Sequence, residues 1–353
     1  MRLGVEAALV DGHLLRGDVE VADGAVAACG LAGGGRGIAV PGFVDLQVNG
    51  FGGVDFLDTD REGYRRAGDA LLETGVTAFL PTLITSPEAQ LLAAMAEVPA
   101  NGARPRVLGV HLEGPFLSPE RLGTHIAAAR RDPDLALLAR LLDGGPVRLM
   151  TLAPELPGAG ELIDVLQARG VVVSLGHTDA TAAEANAAFD RGVATVTHLF
   201  NAMRPLQHRD PGIVGAALAR DDVIVQVIVD GIHLARETVQ VVWRAAGGRV
   251  ALVTDAVAGS LGELELEVGD VARNEDGVLA GSVLTMLEAV RNLHAIGVPL
   301  EDAVGAATAV PARILGDATL GRIAPGLPAD LVVLDDALEI ERVLVAGETL
   351  VAV

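Results

Sequence analysis

Nine polar residues sit at or just beyond the ends of short apolar runs. They are Asp45, Gln47 and Asn49 in "VDLQVNG", His111 and Glu113 in "HLEGP", His177 in "LGHTDAT", His198 in "THLFNAMRPL", His233 in "DGIHL" and Asp255 in "LVTDA". A lone histidine in an apolar strand is usually a satisfied core residue. His177 and His198 resist that reading together. They lie 21 residues apart, one strand-helix-strand unit, so they project from adjacent strands into one mouth. Glu113 stands before Gly114 and Pro115, which break the strand and expose its carboxylate. Two imidazoles and one carboxylate form a catalytic metal set that leaves a coordination position open for water. Zinc is the default ion, and iron(II), manganese or cobalt fit the same ligands. Asp255 follows an apolar run, where a carboxylate is costly unless paired or near a metal. A helix N-cap is its ordinary reading; a general base toward the activated water is the functional one. His125, Asn201 and Arg209 lie in loops near the same rim, and spacing alone does not decide their roles.

Such a constellation needs a scaffold that brings distant strand ends together. Eight strand candidates run at 44–49, 76–82, 106–113, 147–155, 171–177, 193–200, 223–230 and 249–255, separated by Ala/Leu-rich helical stretches. One of these opens with Thr181 and carries Glu184 three residues on, a capping-box pattern. Apolar strands alternating with helices predict a parallel sheet, and eight repeats fit a (β/α)₈ barrel, whose chemistry sits at the C-terminal strand ends. A doubly wound open sheet is the alternative. Residues 1–40 and 317–353 read as short glycine-punctuated strands, expected to form one small discontinuous β-sandwich beside a barrel at 41–316. Residues 262–282 alternate Glu with Leu or Val, then turn at "NEDG", as in a hairpin inserted after the eighth strand.

Composition narrows the function. The chain has 353 residues, half of them hydrophobic, and no apolar run approaches a membrane span. "MRLGVEAALVDG" lacks a basic region followed by a long apolar core, so no secretory signal is expected. Net charge is −21, which argues against nucleic acid and anionic membranes as partners. Cys29 is the only cysteine, so thiolate metal clusters and internal disulfides are excluded and a cytoplasmic location is expected. All 26 basic residues are arginine. Without lysine there is no Schiff base, no P-loop lysine and no carboxylated lysine bridging two metals.

The strings "PGFVDLQVNGFGG", "HLEGPFL", "LGHTDAT", "THLFNAMRPL", "DGIHL", "LVTDA" and "GSVLTM", in this order, resemble the N-acetylglucosamine-6-phosphate deacetylases of the amidohydrolase superfamily. The resemblance implies the barrel with a terminal β-sandwich, and hydrolysis of the acetamide of N-acetylglucosamine 6-phosphate. It implies one divalent metal on Glu113, His177 and His198, with Asp255 as acid and base. His125, in "GTH", would help polarise the acetyl carbonyl, and Thr124 beside it would bind substrate. Asn201, Ala202, Arg209 and His233 would bind the sugar phosphate, and Leu279, Ala280 and Gly281 would touch the sugar. It further implies a homodimer in which Arg209 reaches across the interface. Many amidohydrolases hold a second metal with an HxH pair at the end of strand 1. Here that pair reads Gln47-Val48-Asn49, and amides are weak ligands for zinc-like ions. One tightly bound metal is therefore expected, with Gln47 and Asn49 as nearby hydrogen-bond partners. Other amidohydrolases, such as an N-acyl-D-amino-acid deacylase, a cyclic amidase or an adenine deaminase, remain alternatives, as does a barrel that only binds.

Overall fold

The computed structural model describes residues 1–99 and 103–352. Eight parallel strands build its centre: β1 (Phe43–Val48), β2 (Val76–Ile84), β3 (Val110–Glu113), β4 (Val147–Leu152), β5 (Val172–Leu175), β6 (Thr195–Val196), β7 (Ile224–Val227) and β8 (Val250–Leu252). Each pairs with its sequence neighbour. The sheet closes where Val48 bridges Ala256 in parallel register, supported by Asn49 N–H donating to the Ala256 carbonyl at 2.8 Å. Closure excludes the open-sheet alternative.

From β3 onward the strands are shorter than the sequence suggests, because the chain leaves the ladder where the site begins, whereas β2 runs two residues past its expected end at 82. β5 stops at Leu175, before His177, and β6 at Val196, before His198. Below the site, the barrel interior carries a paired polar layer. Thr151 and Ser174 both hydrogen-bond Thr197, at 2.7 and 2.6 Å, and the Gln226 amide donates to Ser174 and Thr195. The helix Ala182–Asp190 starts with the expected capping box between Thr181 and Glu184, and Thr285 and Glu288 form a second one.

The two ends of the chain meet in one six-stranded sheet. Its order is His13–Arg16, Ala7–Val10, Ile38–Pro41, Leu331–Leu334, Ile340–Val345, Glu348–Ala352. The hairpin Asp18–Ala22/Ala25–Leu31 forms a separate two-stranded sheet, and Leu3, Val19, Val21, Val26, Leu331 and Leu344 share a second core. We propose the division at residues 40 and 317 on this basis, noting that Ile38–Pro41 runs one residue past the first boundary.

The insertion after β8 differs from expectation. It holds two short hairpins, Ser260–Leu261/Leu264–Glu265 and Glu267–Val268/Ala272–Arg273. The "NEDG" turn follows them, with Asn274 Oδ1 accepting from the backbone N–H of Asp276 and Val278. Glycines at 262 and 269 let the alternating segment fold back sooner than one long hairpin would.

Candidate active site

Three side chains converge at the C-terminal mouth of the barrel. Glu113 ends β3, and its Oε1 lies 3.1 Å from His177 Nε2 and 2.9 Å from His198 Nε2. The two imidazole nitrogens are 3.2 Å apart. All three residues are buried, and among the described residues they are the one cluster that could hold a metal ion. Four tetrahedral donors about 2.0–2.1 Å from one zinc ion stand about 3.3 Å from one another, so the spacing fits. The donor chemistry fits as well. His177 Nδ1–H donates to the Arg121 carbonyl at 3.0 Å, which turns the Nε2 lone pair toward Glu113. His198 Nδ1 is buried without a partner among the described residues. Burial pushes the Glu113 carboxyl up, but hydrogen bonds and charge from His177 and His198 outweigh it and hold it well below the usual range. His198 answers the other way: burial lowers it, and Glu113 raises it further.

The backbone around these groups is strained. His177, His198 and Asp255 have φ of 46°, 24° and 51°, and Ala202 has 50°. Left-handed non-glycine residues cost about 1 kcal/mol or more each, and such strain gathers at functional sites. Neighbouring residues enforce it. A Cβ on Gly176 would stand 2.8 Å from Thr151 Cγ2, so only glycine passes between β4 and β6 just before His177. A Cβ on Gly281 would meet the Asp255 carbonyl oxygen at 2.6 Å.

Asp255 is held from three sides. Asn49 Nδ2 donates to its Oδ1 at 2.7 Å, its N–H donates to the Gln47 carbonyl at 2.9 Å, and its carbonyl accepts from Ser282 N–H at 2.9 Å. Burial, then the Glu113 charge, push its carboxyl up to about 6. His125 accepts the Thr85 N–H on Nδ1 at 3.3 Å, which leaves the proton on Nε2, 3.7 Å from Glu113 Oε2. Burial lowers its pKa to about 3, so the ring is neutral. His233 Nδ1 is bonded to Asp230 Oδ2 at 2.6 Å, and Asp230 also caps the backbone N–H of Ile232 and His233.

These groups share one cavity of about 280 Å³. Glu113, His177, His198, Asp255, His125 and Asn49 all line it. Thr124, Asn201, Ala202, His233 and the segment Val278–Gly281 line it as well. The Thr124 hydroxyl is buried and has no partner among the described residues.

Four sequence expectations are corrected or left incomplete. His111 does not join the rim: its Nδ1–H donates to the Leu46 carbonyl at 3.1 Å and its Nε2 accepts from Thr151 at 2.7 Å, a satisfied core histidine. Asp45 also stays inside, its Oδ2 accepting the Thr254 hydroxyl at 2.6 Å. The Gln47 side chain is buried with neither polar atom partnered among the described residues, unlike Asn49. Arg209 is exposed on the loop Gln207–Asp210 and does not line its own chain's cavity. Sequence reasoning missed Thr85 and Asp230, which fix the two loop histidines, because both act across turns or between strands. It also missed Ile84, which lies two residues beyond the strand expected at 76–82 and lines the cavity.

A closed barrel with a mouth-facing carboxylate and imidazoles defines a metal-dependent hydrolase scaffold, and residues 38–350 match the amidohydrolase family. The chain belongs to the amidohydrolase family. Within it, its relatives are the N-acetylglucosamine-6-phosphate deacetylases. The enzyme of that name from Mus musculus is 40% identical over 343 residues, covering 89% of this chain and 83% of that protein. An N-acetylgalactosamine-6-phosphate deacetylase from Escherichia coli O157:H7 is 33% identical, covering 98% of this chain and 97% of that protein. Among solved structures, a mutant N-acetyl-D-glucosamine-6-phosphate deacetylase from Mycobacterium smegmatis, in complex with N-acetyl-D-glucosamine-6-phosphate, superposes with a TM-score of 0.94 at 37% identity, covering 100% of this chain and 99% of that one.

Proposed function

We propose that this cavity hydrolyses the acetamide of N-acetylglucosamine 6-phosphate to glucosamine 6-phosphate and acetate. The observation that carries the reading is the meeting of Glu113, His177 and His198 at 2.9–3.2 Å beside a fixed carboxylate and a neutral imidazole. Glu113, His177 and His198 would hold one divalent ion, which supplies Lewis acidity and lowers the pKa of water. Zinc is the first ion to test, followed by iron(II), manganese and cobalt.

Asp255 has one oxygen tied to Asn49 and the other left to accept a proton from water. It later returns that proton to the sugar nitrogen as the C–N bond breaks. His125 keeps its proton on Nε2 and donates to the acyl oxygen as negative charge develops there. Thr124 offers a buried hydroxyl that no group among the described residues uses. Asn201, Ala202, His233 and Leu279 to Gly281 bound the space for the sugar.

A phosphate needs cations, and the cavity is lined by no arginine among the described residues. With a net charge of −21, the surrounding field repels an anion. Arg209 is exposed on a nearby loop, and a second copy of the chain would bring it to the phosphate. The reading therefore includes a homodimer with Arg209 acting across the interface. It also includes a cytoplasmic location, supported by the single cysteine; no helix among the described residues is long and apolar enough to cross a membrane.

Acetate release measured on N-acetylglucosamine 6-phosphate, its unphosphorylated form and the 4-epimer tests the reading. The first should be hydrolysed fastest. Equal rates with and without the phosphate would refute the assigned substrate.

A further inference from the structure

Ile84 ends β2 and pairs in register with Glu113 on β3. Residues in register on neighbouring parallel strands project to the same face, about 5 Å apart. Ile84 is 2% exposed and lines the cavity. The next residue, Thr85, donates its N–H to His125 Nδ1 at 3.3 Å and its hydroxyl to the Glu113 carbonyl at 3.0 Å. One apolar side chain thus lines the cavity beside the carboxylate of the donor cluster, one residue before the Thr85 N–H that holds the His125 imidazole. The other large apolar lining residues, Leu261, Val278 and Leu279, belong to the insertion after β8, and none is in register with a donor.

Resting on the reading above, the acyl carbon must lie against the donor cluster within reach of His125 Nε2, and its methyl is a single bond further on. We propose that Ile84 is the wall this methyl meets, and that it sets the length of acyl group the enzyme removes. β2 is hydrogen-bonded to β1 and β3, so the wall cannot retreat. The chemistry is unchanged for a longer chain. Water adds to the acyl carbon, the C–N bond breaks, and the amine leaves with the proton while the acid leaves as its carboxylate. A misfit of one methylene in an apolar pocket is worth roughly 10- to 200-fold in kcat/KM.

The experiment compares N-acetyl-, N-propionyl- and N-butyrylglucosamine 6-phosphate on metal-loaded wild type, Ile84→Val, Ile84→Ala and Val278→Ala. Wild type should lose at least tenfold in kcat/KM per added methylene. Ile84→Ala should raise the butyryl-to-acetyl ratio at least tenfold, Ile84→Val should raise the propionyl-to-acetyl ratio, and Val278→Ala should move neither. Calorimetric binding of the three compounds to Asp255→Asn, with and without Ile84→Ala, gives a readout free of turnover and should show the same shift. A ratio unmoved by both Ile84 variants, or moved instead by Val278→Ala, overturns the proposal while leaving a deacetylating wild type intact. Failure of wild type to release acetate from the acetyl compound sinks the functional reading instead, and the binding series still reports on the wall.

Discussion

Asn49 and Asp255 lie 206 residues apart in the chain and meet through one hydrogen bond, Asn49 Nδ2 to Asp255 Oδ1 at 2.7 Å. The bond leaves Asp255 a single free oxygen, so it fixes which lone pair faces the reaction. A hydrogen bond to a charged group contributes about 1.5–3 kcal/mol. Asn49→Ala should therefore lower kcat by about 10- to 100-fold, with bound metal unchanged. Steady-state kinetics and metal analysis check this. Loss of metal without loss of kcat per loaded site would show that Asn49 serves the ion instead.

Asp255 must be ionised to accept a proton. Burial, then the Glu113 charge, push its pKa up to about 6, and a bound cation draws it down. The pH profile of kcat should fall on the acid side, with a midpoint near 6 or below. Asp255→Asn should keep the metal, lose about 10²–10⁴ in kcat and lose that limb. An acid limb above pH 7, or a variant with ordinary turnover, would contradict the assignment.

Arg209 should act on the neighbouring copy. Arg209→Met should raise KM for the phosphorylated substrate at least tenfold and leave the unphosphorylated sugar unaffected. Mixing it with Asp255→Asn should restore about a quarter of wild-type activity, since half the dimers are mixed and each holds one complete site. No recovery on mixing would place Arg209 in its own chain's site or outside any site.

Asp45 links pH to stability. Burial pushes its pKa up from 3.8 to about 7, against hydrogen bonds from Thr254 and Gln47 that lower it. The folded state then holds a proton between about pH 4 and 7 that the unfolded chain has lost. Stability carried by that proton declines as pH rises through this window, by roughly 4 kcal/mol at most at 1.36 kcal/mol per unit. Urea unfolding of wild type and Asp45→Asn should show the variant gaining on wild type from pH 4 to 7. A constant difference across that range would show that Asp45 does not titrate there.

The barrel was legible because its strands are apolar and evenly spaced, and the donor set because Glu113, His177 and His198 interrupt apolar runs at their ends. His111 looked the same in sequence. Its difference lies in Thr151 and the Leu46 carbonyl, partners on other strands that satisfy its ring and that no local pattern announces. The later expected strands overran the real ones because left-handed residues such as His177 and Asp255 carry ordinary side chains; the turn is imposed by packing at Gly176 and by Ser282. Ile84 was invisible for the opposite reason, because β2 runs past its expected end at 82. Only the register with Glu113 separates it from the other apolar residues of β2.

Acetate release from N-acetylglucosamine 6-phosphate, followed while the metal is removed by chelation and returned, tests the central claim most directly. The account predicts that activity disappears with the ion and returns in proportion to added divalent metal, reaching its full value at one ion per chain. Undiminished acetate release from metal-free protein, or a requirement for two ions per chain, would contradict it.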